Sequence, residues 1–122
     1  MIDLTTADLP RIKDLEDTVW FEVQPGGTPE DLADDLDFRH ARAAERPGGA
    51  QPGESGEHGP PLLGMYSAYD MTMTAPGPCA APDGEQLRVV PMTGLTWVGV
   101  HPDGRRQGLL TRMIRDHLLR VH

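Results

Sequence analysis

The chain has 122 residues, enough for one domain with a modest core. Apolar residues make up 38%, which excludes disorder throughout, and the net charge of −8 is uneven: fourteen acids face five bases over 1–61, against five acids and six bases over 62–122. That acidity argues against a nucleic-acid binder, which needs a basic stripe to displace counterions. The single cysteine, Cys79, excludes an intrachain disulfide and reads as an inert thiol in the loop 75–84. No stretch approaches the roughly 20 apolar residues of a membrane-spanning helix, and no basic region followed by an apolar run marks a signal peptide. A cytoplasmic protein without membrane or nucleic-acid partners is the default expectation.

Thr5 or Thr6 can cap a first helix, with Asp8 as reciprocal partner and Pro10 tolerated in its first turn. Leu9, Ile12, Leu15, Val19 and Trp20 form its apolar face, while Arg11, Lys13, Asp14, Glu16 and Asp17 face water. Gln24-Pro25-Gly26-Gly27 ends that unit. Thr28-Pro29-Glu30-Asp31 then supplies a cap, a proline at the first helical position and acids at the positive dipole end. The second helix is short, ends near Asp37 and turns Leu32 and Leu36 to the core. Residues 39–45 suit either helix or a short strand, and 46–61, rich in Gly, Pro, Glu, Gln and Ser, reads as a mobile hairpin tip or inserted loop.

Partial alternation over Leu62–Thr74 marks a strand, and Leu87–Val90 a second, broken at Pro91, which cannot donate to a central ladder. Gly94–Val100 is the best strand. Thr96, Val98 and Val100 share one face, and Leu95, Trp97 and Gly99 the other; with both faces largely apolar it reads as a central strand. Arg105 or Arg106 opens a last helix reaching Val121, its inner stripe formed by Leu110, Met113, Ile114, His117, Leu118 and Val121. The chain thus divides into helices with a possible first strand (1–45), a flexible loop (46–61), a sheet (62–104) and a final helix (105–122).

A strand delivered to a helix start is a standing anion site, because the first amides of the helix have no internal partner. Gln107, Gly108, Leu109 and Leu110 would supply those amides, Gly108 would admit a phosphate oxygen closely, and Arg105 and Arg106 add donors suited to a diphosphate. Strand–turn–helix segments with a glycine and arginines also occur without a phosphate. The segment is neither a Walker loop nor the dinucleotide fingerprint.

The segment resembles motif A of the GNAT acetyltransferases, Arg/Gln-x-x-Gly-x-Gly/Ala after a strand ending in Val-x-Pro, with Arg105, Gly108 and Leu110 at the signature positions. Leu110 departs from the usual Gly/Ala. Arg105-Arg106-Gln107-Gly108-Leu109-Leu110 is similar to the Arg-Arg-Arg-Gly-x-Leu of the Eis-like branch (enhanced intracellular survival proteins), as are Met73–Gly77 and Val90–Pro102. The resemblance is specific over 62–122. It implies an α/β (α+β) GNAT fold, a mixed and mostly antiparallel sheet flanked by helices, ending after the motif-A helix. It further implies that the backbone of Val98, Gly99 and Val100 meets the pantetheine arm of acetyl-CoA, with Gly99 leaving room for the thioester. Residues Arg106, Gln107, Gly108, Leu109, Leu110 and Thr111 would receive the pyrophosphate. Gln107 replaces the branch's third arginine, which implies one charged contact fewer.

Acetyl transfer to an amine needs a deprotonated nucleophile, a donor near the carbonyl oxygen and an acid for the leaving thiolate. In Eis-like proteins the acid is a tyrosine beyond the motif-A helix, helped by the C-terminal carboxylate, so no catalytic residue is assigned here. Tyr66 and Tyr69 read as strand packing, His101 as a turn residue and His117 as a satisfied, partly buried histidine. With His40, His58 and His122 they form no metal spacing, and no metal is expected. The resemblance implies an acetyl-CoA-dependent N-acetyltransferase acting on an amine, complete in a longer chain and homo-oligomeric if Eis-like. The rival expectations are a non-catalytic GNAT-like assembly or ligand-sensing module, a truncated inactive acetyltransferase, and a small anion-binding or nucleic-acid-associated domain.

Overall fold

The computed structural model describes residues 1–20, 27–48, 58–76 and 87–121. Cys79, the residues 24–26 that were to end the first helical unit, most of the expected loops at 46–61 and 75–84, and His122 lie outside these. In chain order the elements are β1 (Ile2–Asp3), α1 (Leu9–Val19), α2 (Leu32–Asp35), β2 (Arg42–Glu45), β3 (Leu62–Pro76), β4 (Leu87–Val100) and α3 (Leu109–Arg120). Among the described residues the sheet runs β1-β2-β3-β4, and every pairing is antiparallel.

Local chemistry sets the helix starts. Thr5 and Asp8 form a capping box around a 3-10 turn at Thr6–Asp8, and Pro10 sits in the first turn of α1. Thr28 and Asp31 repeat the arrangement before α2, which holds only four residues. Residues 42–45 are strand, because β3 offers them a ladder that alanine propensity alone does not foresee.

Two helical layers cover the sheet. Leu9, Ile12 and Leu15 of α1 pack with Leu32, Leu36, Ala43, Leu62 and Met65 on one face. Leu109 and Met113 of α3 pack with Ala44, Leu63 and Tyr66 on the other. Leu62 to Ala68 of β3 is therefore buried without interruption, as a strand covered on both sides must be. Ile12, Met65 and Met113 are 0% exposed, and each such side chain contributes about 1.5–3 kcal/mol by leaving water.

Three expectations are corrected. Arg11 is buried rather than water-facing: its guanidinium donates to the Pro60 carbonyl (2.9 Å), Asp8 (2.7 Å) and Glu45 (2.6 Å), tying α1 to β2 and to the segment that leads into β3. β4 is not broken at Pro91, which pairs with Thr72; as β4 is an edge strand among the described residues, a missing N–H is tolerated there. Among the described residues β4 thus stands at the edge of the sheet, where its apolar faces suggested a central strand.

The face assignment within β4 changes too. The register slips between Met65↔Gly99 and Ser67↔Thr96, so Trp97 and Val98 together oppose Tyr66. This is a bulge, and Trp97 takes the left-handed conformation at φ +51°. Trp97 and Gly99 face α1, Val98 and Val100 face α3, and before the bulge the alternation reverses, bringing Thr96 beside Trp97 on the α1 side. Beyond Tyr69, β3 and β4 continue as a two-stranded ribbon exposing Met71, Met73, Leu87 and Val89.

Candidate functional site

The β4–α3 connection is built on close approaches. After Val100, a 3-10 turn over Pro102–Gly104 is closed by Gly104 N donating to His101 O (2.9 Å) and Arg105 N to Pro102 O (3.1 Å). Gly104 is buried, and a Cβ there would lie 2.9 Å from the Leu63 carbonyl, so only glycine lets the turn sit on β3. Arg46 anchors the same turn through Asp103 (2.6 Å).

The helix opens later than Arg105 or Arg106. Arg106 (φ +60°) and Gly108 (φ +71°) are both left-handed, a conformation that cannot be helical, so α3 starts at Leu109 with Gly108 as its N-cap. The first intrahelical bond runs from Arg112 N to Gly108 O (3.1 Å). The amides of Leu109, Leu110 and Thr111 precede it, and Gln107 instead donates its Nε2 to Asp103 O (2.7 Å). Nothing lies within 4 Å of a Cβ built on Gly108, so its outer side is open.

Val100, Arg105, Arg106, Gly108, Leu109 and Leu110 border one open hollow of about 570 Å³ together with Gly104. Val98 packs towards Tyr66 on the α3 side, and Thr111 is exposed on the first turn of α3. Gly99 does not present a bare face. A Cβ there would come within 2.5 Å of Trp20 Cη2 and 2.9 Å of Val19 Cγ1, so the space assigned to a thioester holds the end of α1.

Charge is partitioned around this hollow. Every cation of 1–61 is ion-paired: Arg11 with Asp8 and Glu45, Lys13 with Glu16 and Asp17, Arg39 with Asp37 and Asp70, Arg42 with Asp3 and Asp116, and Arg46 with Asp103. Arg105, Arg106, Arg112 and Arg115 are exposed and form no ion pair among the described residues. Arg105 and Arg106 stand in the turn before α3 and Arg112 and Arg115 on its first two turns, at the end where the helix dipole adds about half a positive charge.

The bulge builds a second hollow of about 470 Å³, lined by Glu16, Trp20, Thr96 and Trp97. The two indoles meet edge to face, with centroids 5.6 Å apart at 77°. The left-handed backbone at Trp97 costs on the order of 1–3 kcal/mol for a bulky residue. Sequence reasoning missed this hollow entirely, and no short motif announces it.

The remaining polar groups are engaged inside the fold. Tyr66 donates its hydroxyl to Asp116 (2.8 Å), which also accepts from Arg42 (2.5 Å). Burial and this bond raise the Tyr66 phenol to about 12. Burial opposes ionisation of Asp116, but the hydrogen bonds from Tyr66 and Arg42 outweigh it and hold the carboxyl below the usual range. Tyr69 donates to the Asp35 carbonyl, and His101 Nδ1 accepts from Asp103 N (3.2 Å). His117 is buried edge-on to Tyr66 (5.7 Å), and desolvation, then the nearby His40, lower its pKa. Among the described residues its ring shows this edge-to-face contact and no side-chain hydrogen bond. Among the described residues no group of three or more His, Cys, Asp or Glu could hold a metal ion, and no helix is long and apolar enough to cross a membrane.

The family described as "Acetyltransferase (GNAT) domain" matches residues 2–122. The chain belongs to the GNAT acetyltransferase family. Its antiparallel sheet flanked by helices is consistent with the GNAT acyltransferase fold, and the activity general to the family is CoA-dependent acyl transfer, with acetyl-CoA as the typical co-substrate. No curated protein matches this GNAT chain significantly.

Proposed function

We propose that this GNAT domain binds acetyl-CoA with its diphosphate at the start of α3 and serves acetyl transfer to an amine, in the manner of the Eis-like branch its motif resembles. The observation that carries the reading is the charge partition: in a chain of net charge −8, four of the five arginines without an ion pair among the described residues stand in the turn before α3 or on its first two turns, near the amides of Leu109, Leu110 and Thr111, and only Arg88 lies elsewhere, on the outer ribbon. Those residues fit a diphosphate. The amides and the guanidinium groups of Arg105 and Arg106 donate to anionic oxygens, and the open side of Gly108 admits them to the backbone. Along β4, backbone groups of Val98 and Val100 on the sheet edge suit an amide-bearing arm.

Acetyl-CoA, when bound, supplies the thioester whose acyl group is transferred. The chain's own residues fix its phosphates and orient its arm. Titration with CoA by calorimetry tests the assignment. Gly108→Asp, which puts a carboxylate where the diphosphate is placed, is expected to abolish binding; unchanged affinity in a folded variant removes the site. A second reading, a ligand-sensing module without transfer, is favoured by the internal engagement of both the Tyr66 and Tyr69 hydroxyls. CoA binding without acetylation of any amine would select it.

A further inference from the structure

The hollow at the β4 bulge lies on the opposite side of the sheet from α3, and its chemistry is the reverse of the arginine cluster. Two indoles and a carboxylate line it. Glu16 shares one cation, Lys13 Nζ, with Asp17, at 2.9 Å and 2.5 Å respectively, so two carboxylates divide a single positive charge. Asp14, two residues before Glu16, points to another side of α1 and does not line the hollow. The last carbonyls of α1 end at Trp20, which adds the negative end of the helix dipole. Carboxylate, helix C-terminus and indole faces all favour a cation, and an indole face holds one best within about 6 Å of the ring.

We infer that this hollow binds an aliphatic ammonium group belonging to the acceptor. An amine held in this way stays protonated, because each of its neighbours stabilises the charged form, and a protonated amine has no lone pair for acyl transfer. The group held by Glu16, Trp20 and Trp97 is thus an anchor, and the acceptor carries a second amino group that reacts. The acceptor class is a diamine or larger polyamine. The term acceptor rests on the acetyltransferase reading; the cation site does not. The left-handed Trp97 positions the anchor: the extra residue of the bulge turns the Trp97 indole and Thr96 to the same side, where regular alternation would separate them.

Trp20 and Trp97 are the only two tryptophans of the chain, so intrinsic fluorescence reports this hollow. The probe is tetramethylammonium chloride, which no acetyltransferase can modify, exchanged against sodium chloride at constant ionic strength. A saturable fluorescence change is expected in the wild type. It should weaken on the order of tenfold in Glu16→Gln and vanish in Thr96→Arg, which places a tethered cation in the hollow. N-acetyl-1,5-diaminopentane, which retains one ammonium, should bind as the probe does, whereas the neutral N-pentylacetamide should not. No saturable change, or equal binding by wild type and both variants, overturns the cation site; equal binding of the two amides overturns recognition by charge. CoA titrated into the same samples separates the two readings. CoA binding without the tetramethylammonium response sinks the hollow alone, and the converse sinks the acetyltransferase reading while the cation site stands.

Discussion

The Trp20 indole occupies the space a side chain at Gly99 would need: a Cβ on Gly99 would stand 2.5 Å from Trp20 Cη2 and 2.7 Å from Cζ2. The aromatic ring in turn meets Trp97, so Gly99 fixes how closely the end of α1 approaches β4 at the bulge. Gly99→Ala must push the indole and Val19 outward. The expected cost is about 1–3 kcal/mol, the usual range for an overfilled core, seen as a lower denaturation midpoint and altered tryptophan emission. An unshifted midpoint with unchanged emission would show that α1 does not hold β4 in this way.

Arg106 combines a strained backbone with a proposed ligand role, and the two can be separated. Its left-handed φ of +60° is costly with a Cβ, whereas glycine adopts it freely. Arg106→Gly is expected to keep or raise stability, by up to about 1 kcal/mol, because relief of strain is offset by the greater chain entropy of unfolded glycine. CoA affinity should fall roughly tenfold with the loss of a charge-assisted donor. Thermal melts and calorimetry on one preparation check both signs, and a loss of stability would contradict the strain.

His117 makes stability sensitive to mild acid. Its pKa is held below the ordinary 6.5 by burial and then by His40, against the weaker pull of Asp116, while Tyr66 packs against its ring. The unfolded chain therefore takes up a proton first as pH falls. The contribution is fully present above 6.5 and is lost as pH drops through the depressed folded value. Denaturant midpoints from pH 7.5 to 5 should fall more steeply for the wild type than for His117→Gln, which has nothing to titrate there. Parallel slopes would remove His117 from this role.

Tyr66 acts at the other extreme. Its phenol, raised to about 12, keeps its proton where an unfolded tyrosine loses it, so stability declines between pH 10 and about 12. Ultraviolet titration of Tyr66→Phe against the wild type should remove the late-ionising phenol. The variant should also lose about 1 kcal/mol at neutral pH, the usual value of a hydrogen bond like the one Tyr66 donates to Asp116.

What could be read from the sequence was what is decided locally. Thr5 with Asp8, Pro10, and Thr28 with Pro29 and Asp31 fix helix starts through neighbours within one turn, and the structure places helix starts there. The strand–turn–helix at 98–110 was legible because strand residues, turn residues and a glycine stand in series. What failed depends on distant partners. Arg11 looks solvent-exposed until Pro60 and Glu45 close over it, and Gly99 looks open until Trp20 arrives from the end of α1. The start of α3 was misplaced because two left-handed residues stand before it, and Arg106 gives no compositional sign of one.

The single extra residue at Trp97 makes β4 a strand with two phases. Deleting Trp97 would close the bulge and restore regular alternation, leaving Val98–Val100 against α3 and Thr96 opposite Ser67 on the faces they already hold, with only the indole lost. A deletion within the ribbon, before Thr96, would shift its pairing while leaving the half of β4 that leads to Gly108 in register. The bulge thus lets β4 lose one residue at Trp97 without turning either half over, whereas a deletion elsewhere, in the ribbon, exchanges the faces of the residues before it.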